Sequence, residues 1–446
     1  MQNTLFRNIS VVNENKVEQK DVYVKGRRIE QIDNNISPRE SFEEINGEGL
    51  HLLPGVIDDQ VHFREPGLTH KASIYTESRA AVAGGTTSFM EMPNTRPPAL
   101  TIDLLEEKYR IAQKTSLANY SFYMGVSNDN AEEVLKTNRL RKEICGVKIF
   151  MGSSTGNMLV DDEPTLHRIF RDCELLIATH CEDEKTIRNN YEILKAKNPE
   201  LVPSDHPLIR SENACFVSSA FASSLAKKYD SRLHILHIST AKELALFDNE
   251  IPLREKRITA EVCVHHLHFS ADDYEALGYL IKCNPAIKER VNREALWEGL
   301  LDNTLDVIAT DHAPHLLSEK QPPYEQASSG LPLVQHALLL MLHHYKEGRI
   351  SLEKIVEKMS HAVADCFLIR DRGYIREGYF ADLVVVDLNK ETQVTKDNIL
   401  YKCGWSPLEK SIFPASIEKT FVNGQCVFDA GKLRESEGAM RLEFMR

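Results

Sequence analysis

Residues 54–67 read PGVIDDQVHFREPG, a short apolar run that passes into Asp, Gln, His and Arg and is bracketed by Pro-Gly at both ends. An apolar run of this length between turn residues has the signature of a buried strand. The same design returns along the chain: GVIDDQVHF (55–63), TTSFMEMP (86–93), YSFYMGV (120–126), GVKIFMG (146–152), LLIATHC (175–181), LHILHIS (233–239), ITAEVCV (258–264) and LDVIATD (305–311). Several of these runs are continuously apolar, as parallel strands covered on both faces must be. The segments between them, such as TESRAAVAG and NACFVSSAFASSLAKKY, carry helical periodicity. Eight such units predict a TIM-type (β/α)8 barrel, an α/β fold.

The ends of the chain alternate in β fashion: ISVV and DVYVKGRRIEQI near the start, GYIREGYFADLVVVDL and KTFVNGQCVF near the finish. Neither end can bury a core alone. The two are expected to pair into a small β-sandwich domain of residues 1–52 plus 371–446, leaving residues 53–370 as the barrel. The loop LLSEKQPPYEQASSG (316–330) follows the last strand and is expected to cover the site.

Composition excludes several classes. With 446 residues, 42% apolar and 27% charged, the chain reads as a folded protein of a barrel plus a smaller domain. A net charge of -12 without a basic cluster excludes a nucleic-acid or anionic-membrane surface. An anionic small-molecule substrate therefore needs a local Arg. No stretch approaches the ~18 apolar residues of a membrane span, and the start lacks a signal-peptide pattern, so a cytoplasmic location is expected. The nine Cys show no C-x-x-C pair and read as reduced, mostly buried thiols.

In this barrel architecture catalytic groups sit at the C-terminal ends of strands. The candidates there are Gln60, His62 and Arg64 on strand 1, Lys148 on strand 4, His180 on strand 5, His237 on strand 6 and Asp311 on strand 8. Imidazoles, a carboxylate and a lysine from separate strands suit a divalent metal, with zinc the expected ion. Burial lowers the pKa of Lys148, and a neutral amine can take up carbon dioxide to give a carbamate; a lysine paired to an acid is the alternative. Asp311 suits a general base toward water.

DQVHFREPG, AGGTTSFMEMPNT, GVKIF, THCED, LHILHIST, AEVCVHHL, CNPAIK and ATDHAPH, with the flanking ADLVVVDL and VNG, resemble the dihydroorotases of the amidohydrolase superfamily over nearly the whole chain. The resemblance implies one or two zinc ions held by His62, carbamylated Lys148, His180, His237 and Asp311. It implies reversible cyclisation of N-carbamoyl-L-aspartate to dihydroorotate. Arg64 and Asn94 offer a guanidinium fork and an amide for the substrate carboxylate; by the resemblance His315 joins them and Asn284 binds the ring. Related hydantoinases and allantoinases act on rings without that carboxylate. A non-catalytic subunit associated with aspartate transcarbamoylase is a further alternative, and a homo-oligomer is allowed for.

Three positions depart from the family pattern. Gln60 stands where the first His of D-x-H-x-H is expected, Val264 replaces a Pro before His265 and His266, and GLPLVQ (330–335) differs at Leu333 and Gln335. As an amide oxygen is a weaker zinc ligand than imidazole, Gln60 is the weakest candidate ligand, and the ion at His62 is expected to be held less tightly than the one at His180 and His237.

Overall fold

Eight parallel strands close around a common core in the computed structural model, which describes residues 2–152, 158–436 and 438–446. They are β6 (Val56–Val61), β7 (Thr86–Glu91), β8 (Asn119–Phe122) continued after Tyr123 by β9 (Met124–Gly125), β10 (Val147–Phe150), β11 (Ile177–His180), β12 (Leu233–Ile235), β13 (Ile258–Cys263) and β14 (Val307–Ala309). Pairing runs β6-β7-β8 and β9 through β14 in order. The ring closes where Val61 bridges His312 in parallel and His62 N donates to His312 O at 2.7 Å. Every residue of β6 and β7 is buried, the polar Asp58, Asp59, Gln60 and Glu91 among them, as expected of strands covered on both faces. Gly55 is required at the first strand's start, because a Cβ there would meet Thr87 Oγ1 at 2.1 Å.

Both chain ends build one β network. It comprises β1 (Thr4–Asn13), β2 (Lys16–Lys25), β3 (Arg28–Asp33), β4 (Glu43–Asn46), β5 (His51–Pro54), β15 (Leu383–Asp387), β18 (Ser416–Val422), β19 (Gln425–Asp429) and β20 (Lys432–Leu433). The order is β20-β19-β18-β15-β5-β1-β2-β3, with β4 also on β1. Its core joins Phe6, Ile9, Val22 and Leu52 to Leu383, Val385 and Phe421.

Two stretches within 371–446 leave that domain for the barrel. The short ribbon β16 (Thr392–Gln393) and β17 (Ile412–Phe413) frames a segment whose Tyr401 accepts from Gln335 N at 3.0 Å and whose Trp405 Nε1 donates to His315 O at 2.8 Å. Gln335 also donates to Asn398 O and accepts from Leu400 N, so one of the departing family positions anchors this segment. Residues 440–446 run across the opposite end, where Leu442 and Phe444 are fully buried against Cys145, Leu176 and Phe367. Among the described residues no helix is long and apolar enough to cross a membrane.

Candidate active site

Gln60, His62, Lys148, His180, His237, Asn284 and Asp311 line one cavity with Phe150, Ala313, Ser329 and Gly330. The cavity holds about 20 Å³, space for a single water. Ser329 and Gly330 come from the loop anticipated as a cover. Lys320 Nζ fixes that loop by donating to the carbonyls of Lys282, Ser328 and Gly330 at 2.8, 2.9 and 3.0 Å.

The titratable groups fall into two pairs. His62 Nε2 lies 3.0 Å from Asp311 Oδ1, and His180 Nδ1 lies 2.9 Å from His237 Nε2. Lys148 senses both pairs, since its charge acts on Asp311, His180 and His237. Its Nζ sits 4.6 Å above the Phe150 ring and has no hydrogen-bond partner among the described residues. Burial pulls this amine down to about 7, against the pull of Asp311 and Glu261. Among the described residues it forms no ion pair with an acid, the arrangement of the alternative reading.

Burial also lowers His62, His180 and His237. The neutral imidazole that burial favours is the form that can ligate. His180 Nε2 is 3.0 Å from Glu182, which Arg210 in turn neutralises. His237 Nδ1 has no partner among the described residues. For Asp311, burial pushes the carboxyl up, but the His62 hydrogen bond and the His62, His265 and Lys148 charges outweigh it and hold it below its ordinary value. An orphaned amine, an orphaned ring nitrogen and an ionised carboxylate at one cavity fit a group that binds a divalent cation.

Gln60 is placed differently from a ligand. Its Nε2 donates to Asp311 Oδ1 at 3.1 Å, and its Oε1 lies 3.8 Å from Cys263 Sγ. The reverse amide orientation would set oxygen against carboxylate oxygen, so chemistry fixes this one.

Three strand-end residues take the left-handed backbone region: Arg64 (φ 68), His237 (φ 43) and Asp311 (φ 46). Such conformations cost about 1–3 kcal/mol each and persist only where surroundings impose them. Buried carboxylates do so here. Glu261 Oε1 accepts from His237 N at 2.9 Å, Glu91 Oε1 from Phe63 N at 3.1 Å, and Asp58 from Thr310 N and Oγ1.

The substrate-pocket candidates adjoin the cavity. Arg64 donates to Pro314 O and lies 3.1 Å from His315 Nε2, while Asn94 Oδ1 is 2.7 Å from His62 Nδ1. Burial lowers Arg64 to about 10, and among the described residues no carboxylate lies within ion-pair distance of it. Asn284 is steered by His206 Nε2 at 3.1 Å. Sequence reasoning missed Lys71, whose Nζ is 3.1 Å from His315 Nδ1 and 2.7 Å from Glu319. It also missed Glu182, although that residue is the Glu of the quoted THCED. His312 proves structural: it pairs with Glu77 at 2.8 Å and accepts from Leu333 N at 2.9 Å.

The amidohydrolase family model matches residues 51–427. A dihydroorotase of Methanosarcina mazei is 32% identical over 98% of this chain and 99% of its own, and one of Staphylococcus aureus is 30% identical over 96% and 100%. Among solved structures, an L-hydantoinase (dihydropyrimidinase) from Arthrobacter aurescens superimposes with a TM-score of 0.93 at 25% identity over the full length of both chains. A dihydropyrimidinase from Brevibacillus agri, at 23% identity and a TM-score of 0.89, shares the fold. The chain belongs to the amidohydrolase family, among its dihydroorotase-like cyclic amidohydrolases.

Proposed function

We propose that the protein is a dihydroorotase, interconverting N-carbamoyl-L-aspartate and dihydroorotate. The observation that carries this reading is Arg64: a guanidinium only 2% exposed, beside His315 and without a carboxylate at ion-pair distance among the described residues. A buried cation without a counter-ion is costly, and a carboxylate on the substrate supplies the missing partner. Hydantoin and dihydrouracil rings bring none.

Lys148 as a carbamate, with His180, His237, His62 and Asp311, would hold zinc, which when bound supplies Lewis acidity toward the ring carbonyl. The chain's own groups do the rest. Arg64, Asn94 and His315 hold the carboxylate, and Asn284 faces the ring. In the hydrolytic direction Asp311 takes a proton from water as its oxygen adds to the ring carbonyl. The carbonyl carbon then releases the ring nitrogen, to which Asp311 returns the proton. Cyclisation is the reverse. Gln60 and His62 aim the Asp311 carboxylate through the contacts at its Oδ1, and the Ser329–Gly330 edge of the cover excludes bulk water.

Steady-state turnover of dihydroorotate against hydantoin by the zinc-loaded protein tests the proposal. Turnover of dihydroorotate is expected to dominate; hydantoin hydrolysis without dihydroorotase activity would overturn it in favour of the hydantoinase-like alternative.

A further inference from the structure

Where β13 turns into the helix Val264–His268, a second set of donors gathers outside the pairs just described. Cys263, His265 and His266 each offer one ligand atom, and those atoms all lie within 4.8 Å of one another. The three residues are 0, 1 and 3% exposed.

The state of the two rings is what marks the cluster. His266 Nε2 is 3.2 Å from the Pro285 carbonyl, which can only accept, so Nε2 carries the proton and Nδ1 is a bare lone pair. That Nδ1 has no partner among the described residues. A ring whose far N–H is tied to a backbone carbonyl is oriented as metal-ligating histidines are. The Thr310 backbone approaches His265, yet neither of its nitrogens makes a well-formed hydrogen bond among the described residues. A buried polar atom left unsatisfied is costly, and a ligand would relieve it.

We propose that Cys263, His265 and His266 form a second metal site, for a borderline-soft divalent ion such as zinc, distinct from the Lys148–His180–His237 group. A thiolate with two imidazoles is a donor set zinc accepts, and it leaves room for an oxygen ligand. Gln60 Oε1, 3.8 Å from the sulfur, is the nearby oxygen. On binding, the Cys263 S–H bond breaks heterolytically, sulfur keeps the electron pair for the metal, and the proton leaves to solvent. Without metal the thiol stays protonated beside Glu261, 3.5 Å away. The Gln60 side chain then spans two centres, its amide nitrogen on Asp311 and its oxygen toward this one.

Cobalt(II) loading of the metal-stripped full chain tests the site, because no candidate ligand in the Lys148–His180–His237 group contains sulfur. A near-ultraviolet thiolate-to-cobalt charge-transfer band is expected in the wild type and is expected to vanish in Cys263→Ser and weaken in His266→Ala, with one ion fewer per chain. X-ray absorption at the zinc edge of the zinc-loaded wild type, which needs no variant, is expected to contain sulfur scattering at about 2.3 Å. Absence of that component, or a charge-transfer band that survives Cys263→Ser, would overturn the proposal. Dihydroorotase activity is a separate readout, so either reading can fail alone.

Discussion

Gln60 Nε2 donates to Asp311 Oδ1 across 3.1 Å, tying the residue that breaks the family motif to the carboxylate assigned as base. A hydrogen bond to an ionised acceptor is worth about 1.5–3 kcal/mol, or about 1–2 pKa units. In Gln60→Leu the ionised form of Asp311 loses that support and its pKa rises. The acid limb of the kcat/KM profile is expected to move up by about that amount; an unmoved limb would show that the bond does not tune the base. Gln60→His, which restores the expected imidazole, is expected to increase metal bound per chain.

Arg64→Met removes the proposed carboxylate partner. KM for dihydroorotate is expected to rise roughly 30- to 1000-fold, as for truncating one partner of a buried charge pair. Affinity for a ring analogue without the carboxylate should not change. Because the variant also removes a buried charge with no counter-ion, its thermal midpoint should not fall. Equal losses for both ligands would refute the assignment.

Chelation is expected to abolish turnover. If Lys148 acts as its carbamate, zinc with bicarbonate restores activity faster than zinc in buffer freed of carbon dioxide. Equal recovery in the two buffers would count against the modification.

Lys320 gives a pH prediction. Burial lowers it to about 7 in the folded chain, whereas the unfolded chain holds it near about 10.4. Between those values the unfolded state binds the extra proton, so stability rises with pH. From pH 7 to 8.5 the contribution reaches up to about 2 kcal/mol. Lys320→Met lacks it, so urea titrations over that interval are expected to give a shallower slope than the wild type. With three carbonyls left unpaired, the variant should also be cut sooner by protease within 316–330.

The eight barrel strands were legible because parallel strands buried on both faces must be apolar, and polar letters at their ends then point to one rim. His62, Lys148, His180, His237 and Asp311 were found that way, and they do share a cavity. What escaped depends on distant partners. Glu182 and Lys71 look like ordinary surface charges until His180 and His315 are placed beside them. All nine Cys were set aside as reduced thiols; all are free and seven are buried. Nothing in their spacing marks Cys263 out, since its proximity to two imidazoles with unpartnered nitrogens comes from the turn after β13. The crossing of residues 392–413 and 440–446 onto the barrel was illegible too, because their apolar residues fit either domain.

Residues 440–446 bear on how the molecule is made. Arg446 donates to the carbonyls of Cys145 and Phe367, and Leu442 and Phe444 fill the floor beneath the strands. During synthesis every barrel strand emerges well before this stopper, whereas β18 to β20 of the sheet that joins the two ends emerge shortly before it. The apolar base of the nascent barrel therefore stays uncovered until residues 440–446 emerge, a period in which a chaperone has a defined surface to guard.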